Sequence, residues 1–382
     1  MKKRFFALLT AVCIALTTGL TTGLTTGLTA LADGGENSDM TIGMSTQEQC
    51  SCTTLCTEGN INPDCPVCGA EGADLTACKG APLMMRTAPL AAGEDVPGKL
   101  WVGQTQITGS GYWKTTTEGN FETGSENDYN VYYDGNGTLT LNGATIQGGT
   151  STGSVPYGAG IYAQCSNGQS VTLTIKLIGE NTITGTYGIF LNAEIDAYSN
   201  GTDASLTITG ENNGSLEVSG SNHGIYVKSG TGNASLNIEK ATVTSSTDGG
   251  YAAGVYVQSG ANATGSPNIS LSVNGGSLTA SGTGSRDGIL FYVGSSQATG
   301  ATTSLTVSEN AIVDARNGGI SALKISETLP TPTPTGENSS GIVWNGSEGT
   351  VYGDVELQDN LEIKSGETLT IPDGSSLNTN GK

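Results

Sequence analysis

The chain has 382 residues, with 35 Asp and Glu against 15 Lys and Arg, a formal charge of −20, and 58 glycines, roughly twice the usual share. So acidic a chain argues against nucleic acid and anionic membrane surfaces as partners, because both select basic patches; it favours solubility and can draw calcium to the surface. Charged residues at 13% and aromatics at 5%, without Ala-Leu-Glu-Lys stretches, leave either disorder or many short strands joined by tight turns, and the apolar alternation described below favours strands.

Residues 1–32 read as a secretory signal peptide. Lys2-Lys3-Arg4 supplies the charged start, Phe5 to Leu20 the apolar core, and Ala30-Leu31-Ala32 the small residues before a cut at Asp33. Its removal leaves 12 basic residues against 35 acidic ones, a charge of −23. No other stretch approaches the roughly 18 apolar residues that span a bilayer, so export without membrane insertion is expected.

A cysteine-rich module follows at 33–78. Cys50, Cys52, Cys56, Cys65, Cys68 and Cys78 fall within 29 residues. In an exported chain six such cysteines suggest a disulfide framework, with one of roughly 15 connectivities. Cys65-Pro66-Val67-Cys68 equally has the spacing of a zinc knuckle, in which four of the thiolates would hold one zinc ion. Both readings stand at this point. Either way the segment has too few apolar residues for a core of its own and needs its staples.

Residues 79–98 carry Pro, Ala and Gly without pattern and read as a linker. From 99 to 134 the character changes: Trp101, Tyr112, Trp113, Phe121, Tyr129, Tyr132 and Tyr133 place 7 of the chain's 21 aromatics in 33 residues. A stack of strands has an open apolar end, and bulky rings cover one well, so this segment is expected to be an N-terminal cap; an aromatic ligand-binding patch is the alternative.

Repeats occupy 135–328. One apolar alternation recurs at Leu139/Leu141, Leu173/Ile175, Leu206/Ile208, Leu236/Ile238, Leu271/Val273 and Leu305/Val307. A second recurs at Leu216/Val218, Ala241/Val243, Leu278/Ala280 and Val313/Ala315. The third is the most regular: Gly224-Ile225-Tyr226-Val227 returns as Gly254-Val255-Tyr256-Val257, with looser copies at Gly160, Gly188, Gly288, Gly319 and Gly341. Apolar residues two apart, flanked by Ser, Thr and Asn, mark half-buried strands. Corners are written as Asn142-Gly143, Asn213-Gly214, Asn274-Gly275, Asp287-Gly288 and Asn317-Gly318, residues that tolerate the positive φ of sharp bends. Three strands per turn and a period of 22 to 36 residues predict an all-β, right-handed parallel β-helix (a β-solenoid) of seven turns.

The pattern resembles the parallel β-helices of the pectin-lyase-like class, and more narrowly the exported surface proteins of Gram-positive gut bacteria. The cysteine-rich leader ending in Cys65-Pro66-Val67-Cys68 carries part of the likeness. The rest is Asn136-Gly137-Thr138-Leu139-Thr140-Leu141-Asn142-Gly143-Ala144 followed by Gly160-Ile161-Tyr162-Ala163, as in their carbohydrate-binding solenoid domains. The resemblance covers residues 50 to 325 and implies fold and location more firmly than activity.

Residues 329–337 form a Pro/Thr-rich segment that cannot join a ladder and is expected to be an exposed loop. Strand patterns resume over 338–382 in shorter steps and stop in mid-pattern, which suggests a piece of a longer protein.

Chemistry has few places to sit. The resemblance raises a lyase or glycosidase activity, which needs clustered carboxylates or a carboxylate pair, often with a basic residue. The solenoid offers scattered carboxylates, of which Glu194 and Asp196 alone share a strand face. The residues before the marker glycines put Tyr187, His223, Arg286 and Asp287 on one polar ridge. The residues after Gly-Ile are more suggestive: Tyr162, Phe190, Tyr226 and Tyr256 should point outward and stack rung on rung. An open ladder of rings is a platform for sugars, though the same rings would also stabilise the rod by stacking on each other. The expected function is therefore a non-catalytic surface module that binds carbohydrate or another surface partner. The alternatives are the enzyme and a purely structural stalk.

Overall fold

The computed structural model describes residues 95–382, apart from 117–120, 150–155, 167, 195–201, 250–251, 285, 326 and 336–337 and the side chain of 212. The signal peptide, the cysteine module with its disulfide or zinc alternatives, most of the linker, and Asp196 lie outside the described residues.

Strands β1 (Lys99–Val102) and β2 (Thr105–Ile107) form a hairpin, and β3 (Gly111–Thr115), β4 (Phe121–Thr123) and β5 (Val131–Tyr133) a second antiparallel group. Three strands then make the sides of the first turn: β6 (Thr138–Asn142), β7 (Thr145–Gln147) and β8 (Ile161–Gln164). The next two turns are each a single strand that stays in the ladder around both corners, β9 (Val171–Asn192) and β10 (Ala204–Lys228). In the fourth turn β11 (Ala234–Thr247) covers two sides and β12 (Val255–Ser259) the third; β13 (Asn268–Ser281) and β14 (Ile289–Val293) repeat this in the fifth. The sixth turn is β15 (Thr302–Ser308), β16 (Ala311–Ala315) and β17 (Ile320–Lys324). All pairings between these turns are parallel, so the chain is a three-faced parallel β-solenoid of six turns.

Alternation supplies the core. Ile161, Ile189, Ile225, Val255, Ile289 and Ile320 stack in direct register on the third face, and Leu173, Leu206, Leu236, Leu271 and Leu305 on the first. Nearly all of these side chains are fully buried, each removing apolar surface worth about 1.5–3 kcal/mol from water. The antiparallel strands lie on the first turn: β1 on β8 of the third face, β5 on β6 of the first.

Three expectations of register fail. Leu139 pairs with Ile175, not Leu173, so the first rung of the first face is slipped by two residues. On the second face Leu216 pairs with Val243 and Val218 with Ser245; the alternation there is Val243/Ser245 rather than Ala241/Val243. Ser245 is consequently an inward hydroxyl, fully buried, and it donates to the carbonyl of Gly254 at 2.7 Å. Gly341 is the third failure. It opens β19 (Gly341–Asn345), which pairs with β16 on the second face, so it does not belong to the third-face series and the solenoid has six turns, not seven.

The chain beyond the sixth turn also departs from the coil. β18 (Glu327–Thr328) folds back antiparallel on β17, and residues 329–335 carry no strand. After β19, β20 (Glu348–Tyr352) turns back antiparallel, and two parallel pairs follow, β20 with β22 (Thr368–Thr370) and β21 (Asp354–Glu356) with β23 (Ser376–Asn378). These strands gather their own small core around Ile342, Trp344, Val351, Val355 and Leu357.

Among the marker glycines Gly319 has the left-handed backbone, at φ 75°, but Gly188 and Gly224 are needed for space. Gly188 lacks left-handed backbone, but a Cβ there would lie 2.3 Å from Cγ2 of Val218 and 2.5 Å from the Gly224 carbonyl of the next rung. At Gly224 a Cβ would lie 2.2 Å from Ser245 Oγ. These two glycines let the third face close against an inward side chain of the following turn.

Candidate functional site

The third face presents its outward positions in two parallel columns, two residues apart along each strand. Tyr162, Phe190, Tyr226 and Tyr256 are direct register partners and form the first column. Phe190 and Tyr226 stack with centroids 4.6 Å apart and planes 6° from parallel, and Tyr226 and Tyr256 with 4.8 Å and 9°. Tyr162 meets Phe190 edge-on at 5.5 Å.

The column is stacked but it is not an open ladder. Tyr162 is 2% exposed, Phe190 4% and Tyr226 8%. A second layer of rings covers them. Tyr187 lies over Phe190 at 5.0 Å and Tyr226 at 5.9 Å, and His223 over Tyr256 at 4.7 Å. Both come from the residue before the marker glycine: Tyr187 is three positions before Phe190, and His223, three before Tyr226, also lies 5.1 Å from that ring. Trp101 of β1, the register partner of Tyr162, packs on the same cluster. Tyr157 closes the layer from a single 3-10 turn, Pro156–Gly158, and holds a left-handed backbone at φ 59°. Its ring lies 5.2 Å from Phe190 and 5.5 Å from Tyr162, yet is 51% exposed. A non-glycine residue in that conformation costs about 1 kcal/mol or more.

The second outward column is polar: Asn192, Lys228 and Gln258 in register. Tyr226 Oη donates to Gln258 Oε1, and Asn192 accepts from the Glu194 amide at 3.0 Å. Lys228 Nζ lies 2.5 Å from Glu194 Oε2, with both side chains about four-fifths buried. An open cleft of about 260 Å³ is lined by Tyr157, Tyr187, Phe190, Tyr226, Asn192, Glu194 and Lys228. Its lining combines rings with an amide and an ion pair.

Burial sets the protonation of this region. It raises the Tyr226 hydroxyl well above its ordinary range, so that group is a neutral donor. It also pushes His223 down to about 4. The Ala253 amide donates to His223 Nδ1 at 3.0 Å, so the ring is neutral with its proton on Nε2.

Tyr187 and His223 of the expected polar ridge are neighbours, 5.8 Å between centroids, and they serve as the covering layer. Asp287 instead accepts from Ser321 Oγ of the next turn, and Arg286 donates its amide to the Thr283 carbonyl. Sequence reasoning missed Tyr157, Asn192 and Lys228. The last two were within reach, since alternation places them two residues beyond Phe190 and Tyr226 on the same side. Tyr157 had no periodic signal. Among the described residues no group of three His, Cys, Asp or Glu side chains comes together to hold a metal ion, and no helix is long and apolar enough to cross a membrane.

Comparison with protein-family models, with curated proteins and with solved structures finds no significant match.

Proposed function

We propose that the chain is an exported, non-catalytic β-solenoid that binds carbohydrate through the cleft lined by its ring column and its polar column. The observation that carries the reading is the mixed lining of that cleft. A sugar ring has an apolar face and a hydroxyl edge; here Tyr157, Tyr187, Phe190 and Tyr226 line the same cleft as Asn192, Glu194 and Lys228. Tyr157 supports it further, because it holds an unfavourable backbone conformation while leaving half of a large ring in solvent.

A catalytic reading gains no comparable support. Among the described residues lining the cleft Glu194 is the one carboxylate, and it is ion-paired. The surface location rests on the leader over 1–32 and on the resemblance to exported solenoids of gut bacteria, and amino-terminal sequencing of secreted material should begin at Asp33.

The direct test is a glycan array probed with the full secreted chain and with Tyr157→Ser. Binding that is lost in the variant supports the reading; no binding by the parent favours a stalk and overturns it.

A further inference from the structure

We infer that the cleft selects an uncharged sugar ring and rejects one that carries a carboxylate. The inference rests on the carbohydrate reading above and adds the ligand class. Lys228 is the cation among the described lining residues, and it is the group an acidic sugar would need. It is already committed: its Nζ lies 2.5 Å from Glu194 Oε2, and the side chains are 24% and 18% exposed. An incoming carboxylate must either displace Glu194, leaving that charge without a partner where its side chain is about four-fifths buried, or sit beside it as a like charge. The charge of −23 left after removal of the leader adds a repulsive field of the same sign.

A hydroxyl pair faces no such conflict. One hydroxyl accepts from Lys228 while another donates to Glu194, so the ion pair stays intact and gains two charge-assisted hydrogen bonds. An amino sugar meets the mirror-image problem at Lys228. Size agrees with a single ring: about 260 Å³ is below the roughly 300–1,000 Å³ of clefts that enclose drug-sized ligands.

The test is a calorimetric titration of the full chain with three oligosaccharides of matched linkage: a neutral hexose series, its uronic acid counterpart, and its amino-sugar counterpart. The neutral series should bind about tenfold tighter than either charged one. Glu194→Gln frees Lys228 and should bring uronate binding up about tenfold while changing the neutral sugar less. Lys228→Gln should weaken the uronate further, which keeps the test decisive if the first variant folds poorly. A parent that prefers the uronate, or a preference that neither variant moves, overturns this inference alone. Absence of binding to all three overturns the carbohydrate reading with it.

Discussion

Phe190 and Tyr226 lie face to face on successive turns, 4.6 Å between centroids and 6° from parallel, under a second layer of rings. Their burial changes what substitution should do. A ring on an open platform is dispensable to the fold, whereas these two are core residues of a small satellite cluster. Phe190→Ala and Tyr226→Ser should each cost about 3–5 kcal/mol of stability, read by denaturant unfolding. Tyr157→Ser, at a half-exposed ring, should stay within about 1 kcal/mol of the parent.

The glycine column makes a contrast that is easy to measure. Gly188→Ala pushes a methyl into Val218 and the Gly224 carbonyl, and overpacking of this kind should cost about 3 kcal/mol. Gly143→Ala meets nothing within 4 Å; its cost is the left-handed backbone at φ 59°, about 1 kcal/mol. Equal melting-temperature losses for the two variants would show that the surroundings of Gly188 yield to an added methyl and that space is not what requires glycine there.

The sequence made the third face readable because its period and its chemistry agree. Ile and Val at one position, a ring at the next, and glycine ahead of both leave one register, and Ile189, Ile225, Val255 and Ile289 indeed stack in it. Elsewhere the errors are slips of two residues, at Leu139 and at Ala241. A strand repeats its sides every two residues, so a slip of two keeps every apolar side chain inward and leaves no trace in the polarity pattern. Gly341-Ile342 copies the motif but sits on another face, since the motif encodes a strand and not which side of the coil it joins. The covering of the ring column was illegible for a different reason. Alternation predicts which way a side chain points, and Tyr187, His223 and Tyr157 reach the column from a corner and a loop.

His223 should make the fold sensitive to mild acid. Burial holds its folded value at about 4, below the ordinary 6.5 of the unfolded chain. Above pH 6.5 the ring is neutral in both states and contributes nothing to the pH dependence. Between pH 6.5 and 4 the unfolded state takes up a proton that the folded state refuses, so stability falls as pH falls, by up to about 3 kcal/mol. Comparing unfolding of the parent and His223→Gln from pH 8 to 4 isolates the effect. The gap between them should narrow as the pH drops, and a constant gap would place the ring in a solvated environment instead.

The central claim is that the cleft under Tyr157 holds a sugar, and titration calorimetry of the full chain against the best neutral glycan tests it most directly. The parent should bind, and Tyr157→Ser should bind at least about tenfold more weakly with an unchanged melting temperature. Equal affinity in the two proteins, or no heat of binding in the parent, would contradict it.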